Sequence, residues 1–302
     1  MNRSFDSQYF FVLGFQKSGT STLYEWLKQI DKIKLPVYKE THYFSDLNFY
    51  NKGLDWYFKQ FNYNDKHTHL GEIDPSYILS EEYLKRIHEF SSKETKFIFI
   101  LRQPLERAYS HYLMSKFRGY ESLSFKEAIK LEPDRLKNDE NNFSFLNHSY
   151  LSRSNYPKHL NTFKRIFPSN KVLYLKMNDM FNKEKKIKML NNILSFLDIK
   201  YDPYSVNLNI RANSASSPKS LLLQKLLYQD YFLKKIIKSI LPNKFIFPLK
   251  SKLVRLNKKQ IEYSNMNNSI NGLLNENYIS WNNKIVKETE NITELSLSNW
   301  KY

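Results

Sequence analysis

Two segments of this 302-residue chain carry side chains set out for binding a phosphate group. The first is Gly14-Phe15-Gln16-Lys17-Ser18-Gly19-Thr20-Ser21-Thr22-Leu23, which follows the apolar run 9–13. A buried strand, a glycine-bounded turn and a helix opening on hydroxyls aim several backbone N–H groups at one spot. The positive end of the helix dipole points there too, so the turn makes an anion pocket. Lys17 adds a mobile positive charge. The second segment is Phe97-Ile98-Phe99-Ile100-Leu101 followed by Arg102. Arg102 falls at the carboxyl end of a predicted central strand, where open α/β sheets hold ligands. Ser110 stands about two helical turns further on, and an arginine with a hydroxyl suits one phosphate. Each segment has a plainer reading. Gly14 to Thr20 also fits an ordinary strand-to-helix turn, and Arg102 also fits a salt bridge to Glu106.

The elements that must position these residues alternate. Strands are expected at 9–15, 97–101 and 171–177, with a short extended piece at 37–43 after Pro36. Helices are expected at 20–30, 80–90, 104–116, 124–129, 159–167 and 183–197, and 134–144 reads as a loop. Strands alternating with helices define an α/β fold with a P-loop-like parallel sheet flanked by helices. No linker divides the chain. The reading is one domain over 1–302, with a nucleotide-binding core at about 8–200 and a helical C-terminal part at about 201–302.

The anion loop is neither of two familiar ones. A Walker A loop has lysine directly after its second glycine, whereas here Thr20 follows Gly19. The dinucleotide fingerprint G-x-G-x-x-G is also missing. No aspartate ends the 97–101 strand to hold magnesium, and no His/Asp/Glu cluster has metal-ligand spacing. Cysteine is absent, which excludes disulfides and thiolate metal sites. The expectation is therefore a metal-free site.

The net charge of +17 calls for an anionic partner, although a Lys- and Asn-rich composition accounts for part of it. Residues 231–261 hold no acidic residue and many lysines among Ile, Leu and Phe. That stretch fits a peripheral membrane contact, a wall for an acidic glycan, or a solvated helix face. Aromatic residues sit mostly in apolar runs rather than on basic patches, which argues against nucleic acid. The polar residues 1–8 show no signal-peptide pattern, and no apolar run is long enough to span a bilayer. A cytoplasmic location, with membrane association at the inner face as an option, is the expectation.

Together the two phosphate segments resemble the sulfotransferase family, which uses 3′-phosphoadenosine 5′-phosphosulfate (PAPS). Gly14 to Leu23 is similar to that family's 5′-phosphosulfate loop, and Leu101-Arg102-Gln103-Pro104-Leu105-Glu106-Arg107-Ala108-Tyr109-Ser110 is similar to its 3′-phosphate motif. Lys39-Glu40-Thr41-His42-Tyr43-Phe44, Gly53-Leu54-Asp55-Trp56-Tyr57 and Gly71-Glu72-Ile73-Asp74-Pro75-Ser76-Tyr77 resemble segments of the heparan-sulfate-type glycan branch. Asn213 to Leu222 and Leu295-Ser296-Leu297-Ser298-Asn299-Trp300 resemble features of bacterial members.

The resemblance implies sulfuryl transfer from PAPS to a hydroxyl, or less readily an amine, of a carbohydrate acceptor. The acceptor would be a polysaccharide or a lipid-linked glycan, and adenosine 3′,5′-bisphosphate would be the product. Lys17 would stabilise charge on the leaving phosphate oxygen. Ser18, Gly19, Thr20, Ser21 and Thr22 would hold the 5′-phosphate. Arg102 and Ser110 would hold the 3′-phosphate, with Arg118 near the nucleotide. Arg211 and Lys219 would replace a late nucleotide loop that this chain lacks. Glu40 matches the family's general base, and His42 is its rival because imidazole needs less tuning. A salt bridge from Glu40 to Lys39 or Lys17 is the plainer reading. Lys39, Tyr43, Trp56, Tyr57 and Asp74 stand on the acceptor side, the aromatic rings as stacking surfaces for sugar. Ile73 replaces a lysine found in several glycan enzymes. The rival functions are a P-loop-type kinase and a basic polyanion- or membrane-binding protein.

Overall fold

The computed structural model describes residues 8–64, 67–139, 142–212 and 276–302. It also describes 216–220, 223, 227, 253–254, 256–260 and 270. Most of the basic stretch 231–261 and part of the 213–222 segment lie outside the described residues. The chain forms two compact units: 1–103, 155–213 and 280–302 make the first, and 104–154 with 214–279 make the second.

The first unit is built on a five-stranded sheet. Its strands are β1 (Gln8–Gly14), β2 (Ile33–Lys34), β3 (His69–Ile73), β4 (Lys96–Leu101) and β5 (Val172–Lys176). They run in the order β2-β3-β1-β4-β5, and every neighbouring pair is parallel. The apolar runs of β1 and β4 are those of central strands buried on both faces. Strand alternation then sorts their side chains into two cores. Phe11, Leu13, Phe97, Phe99 and Leu101 face one layer, with Phe163 and Trp300. Phe10, Val12, Ile98 and Ile100 face the other, with Trp26 and Leu190.

The covering helices of this unit are α1 (Thr20–Leu27), α2 (Leu47–Tyr50), α3 (Gly53–Lys59) and α4 (Glu81–Phe90). The second unit carries α5 (Pro104–Phe117), α6 (Phe125–Lys137) and α7 (Phe143–Asn147). The first unit resumes with α8 (Tyr156–Ile166) and α9 (Lys185–Phe196). Helix α10 (Glu276–Thr293) follows near the end of the chain. Local signals set several boundaries. Ser80 accepts the N–H of Glu82 to open α4. Ser124 and Glu127 form a reciprocal capping box at the start of α6.

One strand, β3, is additional to those expected, and two sequence expectations change. Strand β3 has no apolar run, because Gly71 and Glu72 interrupt it. Gly71 pairs with Phe10 on β1, and a Cβ there would lie 2.0 Å from Phe10 Cζ. The glycine is what lets the phenyl ring pack over the strand. The extended piece expected at 37–43 is not a strand; the short strand β2 precedes Pro36 instead. The backbone N–H groups of Thr41 and His42 bond to carboxylates rather than to a ladder. The loop expected at 134–144 holds the last turn of α6 and the start of α7.

The second unit is pinned by buried ionic side chains. Arg107 is fully buried, donating to Ser154 Oγ at 2.6 Å and to the Tyr150 carbonyl. Glu132 accepts the N–H groups of Leu151 and Ser152. His111 is fully buried, with its ring edge-on to Tyr150.

Candidate active site

The order of the sheet reverses at β1, between its neighbours β3 and β4. Such a switch point leaves a crevice at the carboxyl ends of the strands. Four strand ends of the first unit meet this edge. β1 leads to Lys17, β2 to Lys39, Glu40 and His42, β3 to Asp74, and β4 to Arg102.

The loop after β1 is shaped for an anion. Gly19 is the residue before α1 and has φ +91°, which a side chain rarely adopts. No side chain caps α1, and no acidic residue lies in its first turn. Ser18 is fully buried, and its hydroxyl has no hydrogen-bond partner among the described residues. An orphan buried hydroxyl beside an uncapped helix start suits a phosphate oxygen. Thr22 Oγ1 accepts the N–H of Ala212 at 3.2 Å, which leaves its own proton to donate. That bond brings Arg211 to the same end of α1, where its guanidinium lies 4.1 Å from the Phe181 ring centre. Lys17 has φ +71°. Its carbonyl accepts a hydrogen bond from Arg102 Nη1 at 3.4 Å. The arginine is buried, and Tyr156 OH donates to its carbonyl at 2.7 Å. Lys17 and Arg102, one from each segment, therefore meet in one place.

On the other side of the switch point lies the loop after β2. Glu40 and His42 both have left-handed backbones, with φ +67° and +55°. For residues with side chains this strain is worth on the order of 1–3 kcal/mol each. Thr41, between them, donates its N–H to Glu72 Oε1 at 3.2 Å and its hydroxyl to the same oxygen. His42 donates its N–H to Asp74 Oδ2 at 3.2 Å, and its Nδ1 lies 2.9 Å from that oxygen. Glu40 is partly exposed and pairs with Lys39.

The electrostatics divide these groups. The hydrogen bond to Asp74 pushes the His42 imidazole up to about 9, so it is a cation at neutral pH. Burial alone would raise Asp74, but the hydrogen bond and charge of His42 and the bonds from Ser76 hold its carboxyl below the ordinary range. Burial, and then the charge of Asp74, push Glu72 up to about 7.

The aromatic residues expected to stack on sugar are placed differently. Tyr43 and Tyr57 are 2% and 1% exposed and stack on each other at 4.7 Å, so neither offers a ring face. Trp56 is partly buried and stacked on Phe49, with Lys52 over both rings. Asp74 is fully buried against His42, which removes it as a direct acceptor contact. Tyr38, just before Lys39, is 81% exposed. Its sequence carries no signal for this, since tyrosine is common throughout the chain.

Ser110, Arg118 and Lys219 belong to the second unit. Ser110 is buried on α5, and Arg118 lies just after that helix, at its C-terminal end. Lys219 follows β6 (Ser216–Pro218), which pairs antiparallel with β7 (Lys258–Gln260). Among the described residues, no group of three or more His, Cys, Asp or Glu is placed to hold a metal ion. Nor is any helix among them long and apolar enough to cross a membrane.

A five-stranded parallel sheet whose first strand turns through a glycine into an uncapped helix, with a buried arginine from the neighbouring strand beside that turn, is a P-loop-like α/β arrangement. The chain belongs to the family of the sulfotransferase domain, whose model matches residues 7–240. It is similar to human (Homo sapiens) heparan sulfate glucosamine 3-O-sulfotransferase 5, with 28% identity over 162 residues, 52% of this chain and 44% of that protein. Against heparan sulfate glucosamine 3-O-sulfotransferase 3B1 of Mus musculus the identity is 30% over 169 residues, 54% of this chain and 40% of that protein. Against the membrane-associated sulfotransferase kil1 of Dictyostelium discoideum it is 34% over 109 residues, 35% of this chain and 22% of that protein. The chain thus spans less than half the length of these curated relatives. A solved sulfotransferase from Alicyclobacillus acidocaldarius shares the fold, with a TM-score of 0.62 over 97% of this chain and 98% of that one, at 18% identity.

Proposed function

We propose that this protein transfers the sulfuryl group of PAPS to a hydroxyl of a carbohydrate. The observation that carries the reading is the bond from Arg102 to the Lys17 carbonyl, which joins both phosphate segments in one crevice. The orphan hydroxyl of Ser18 and the uncapped start of α1 fit a 5′-phosphate. Arg102 fits the 3′-phosphate. The parts of Ser110, Arg118 and Lys219 rest on sequence motifs alone.

PAPS supplies an activated sulfuryl group. An acceptor oxygen forms a bond to sulfur as the bond from sulfur to the 5′-phosphate oxygen breaks. Lys17 neutralises the charge that grows on that oxygen. Glu40, partly exposed at the crevice, takes the acceptor's proton. His42 is poorly suited to that role, because its ring nitrogen is already bonded to Asp74 and charged. As a fixed cation it favours the negatively charged transferring group. Tyr38, two residues before Glu40 in the chain, is exposed and suits stacking on a sugar face. The carbohydrate acceptor is supported by the heparan sulfate relatives and by the excess positive charge.

The direct test is titration with adenosine 3′,5′-bisphosphate and with ATP, both without magnesium. Tight binding of the bisphosphate and weak binding of ATP is the expected result. The reverse preference would return the site to a kinase. Labelled PAPS with heparan sulfate and with total glycans of the source cell then reports the acceptor.

A further inference from the structure

Glu72 and Asp74 are alternate residues at the end of β3, so their side chains leave the strand on one side. Both are buried carboxylates. Each takes one successive backbone N–H of the loop after β2, Glu72 from Thr41 and Asp74 from His42. Each also takes that residue's side chain. We propose that this pair of carboxylates positions Glu40 for proton transfer, by clamping the two residues after it and so holding its strained backbone in place. The inference rests on the reading of Glu40 as the proton acceptor.

The clamp is itself held from behind. Tyr57 OH donates to Glu72 Oε2 at 2.7 Å, and Tyr77 OH donates to Glu72 Oε1 at 2.9 Å. Ser76 donates its N–H to Asp74 Oδ1 at 2.9 Å. Thr41 Oγ1 also accepts the N–H of Tyr43 at 3.2 Å, which tightens the turn. Glu72 lies deep beneath the loop and takes its donors from three elements, so it meets the loop and not the acceptor. Left-handed conformations at Glu40 and His42 persist only where surrounding contacts over-determine them. The two carboxylates supply those contacts. A loop bound by apolar packing alone would relax out of them.

The charged and titratable groups around Glu72 are Tyr57 from α3, Tyr77 after β3, Asp74, and His42 from the loop. Glu72 ionises near neutral pH, so the clamp's charge changes in the working range.

The experiment is a double-mutant cycle on the full chain between Glu72→Gln and Glu40→Gln. The readout is release of adenosine 3′,5′-bisphosphate from PAPS, with water alone and with heparan sulfate present. Bisphosphate Kd and Tm are measured for every variant. The expected result is a loss in kcat of about 10- to 100-fold for Glu72→Gln, with KM for PAPS and bisphosphate Kd within about twofold. In the Glu40→Gln background the same change should cost nothing further. Equal losses in both backgrounds would overturn the positioning role. A Glu40→Gln variant with full turnover would overturn the base assignment beneath it, which is a separate outcome. If Glu72→Gln fails to fold, Thr41→Val removes one donor and leaves both tyrosines on Glu72. It should reproduce the kcat loss, and an unchanged kcat would refute the clamp.

Discussion

His42 Nδ1 lies 2.9 Å from Oδ2 of the buried Asp74, and the same oxygen takes the His42 backbone N–H. One carboxylate oxygen thus fixes both the ring and the chain of the residue two places after Glu40. The pairing raises the imidazole to about 9, and this has consequences on either side of neutral pH.

Activity should rise through about pH 7 as Glu72 ionises and fall above about pH 9, as His42 loses its proton. If His42 were the proton acceptor, the rate would instead climb through that range. Asp74→Asn should bring the alkaline limb down toward the ordinary histidine value of 6.5. NMR titration of the His42 ring, alongside a pH–rate profile, distinguishes the two.

Stability follows the same linkage. His42 has a folded value above its unfolded one, so its contribution is full below about pH 6.5 and lost as pH rises through about 9. Glu72, also raised, contributes below its unfolded value of 4.5 and loses that as pH rises through about 7. Both act in one direction, so Tm should decline from mildly acid to alkaline pH. Thermal melts of Asp74→Asn should show a flatter decline between pH 6.5 and 9.

Lys17→Ala should lower turnover by about 100-fold or more while weakening bisphosphate binding far less. A lysine that acts only in the transition state gives this split. Equal losses in turnover and binding would make Lys17 a binding residue only.

Gly71→Ala tests the fold rather than the chemistry. Its Cβ would meet the Phe10 ring at 2.0 Å, in a strand buried on both sides. Overpacking of this kind costs about 1–3 kcal/mol. A fall in Tm with unchanged bisphosphate affinity of the folded fraction is the expected outcome, measured by calorimetry and titration.

Tyr38→Ala should raise KM for a glycan acceptor by several-fold, in line with about 0.5–1.5 kcal/mol for an aromatic contact, and leave Kd for the bisphosphate unchanged. Identical steady-state constants for the two proteins would remove Tyr38 from the acceptor side.

The central strands and most helices were legible because their signals are local. Apolar runs mark β1 and β4, and Ser80 and Ser124 mark helix starts. The anion loop was legible for the same reason, since its glycine, lysine and hydroxyls are contiguous. Strand β3 was hidden because its fitness lies in a partner: Gly71 reads as a breaker until Phe10 is laid beside it. The aromatic residues misled because tyrosine serves equally as core and as surface. The clamp of Glu72 and Asp74 did leave a trace, two acids spaced by one residue at a strand end. Only the fold supplies the loop they hold.

The switch point also separates labour between neighbouring strands. In the proposed function, donor recognition falls to the ends of β1 and β4, whereas the proton-handling loop and its supports come from β2 and β3. Chemical selectivity and fuel selectivity are thereby modular. On that reading, the stretch between Pro36 and Phe44 and its two acidic anchors can be exchanged without touching the donor grip.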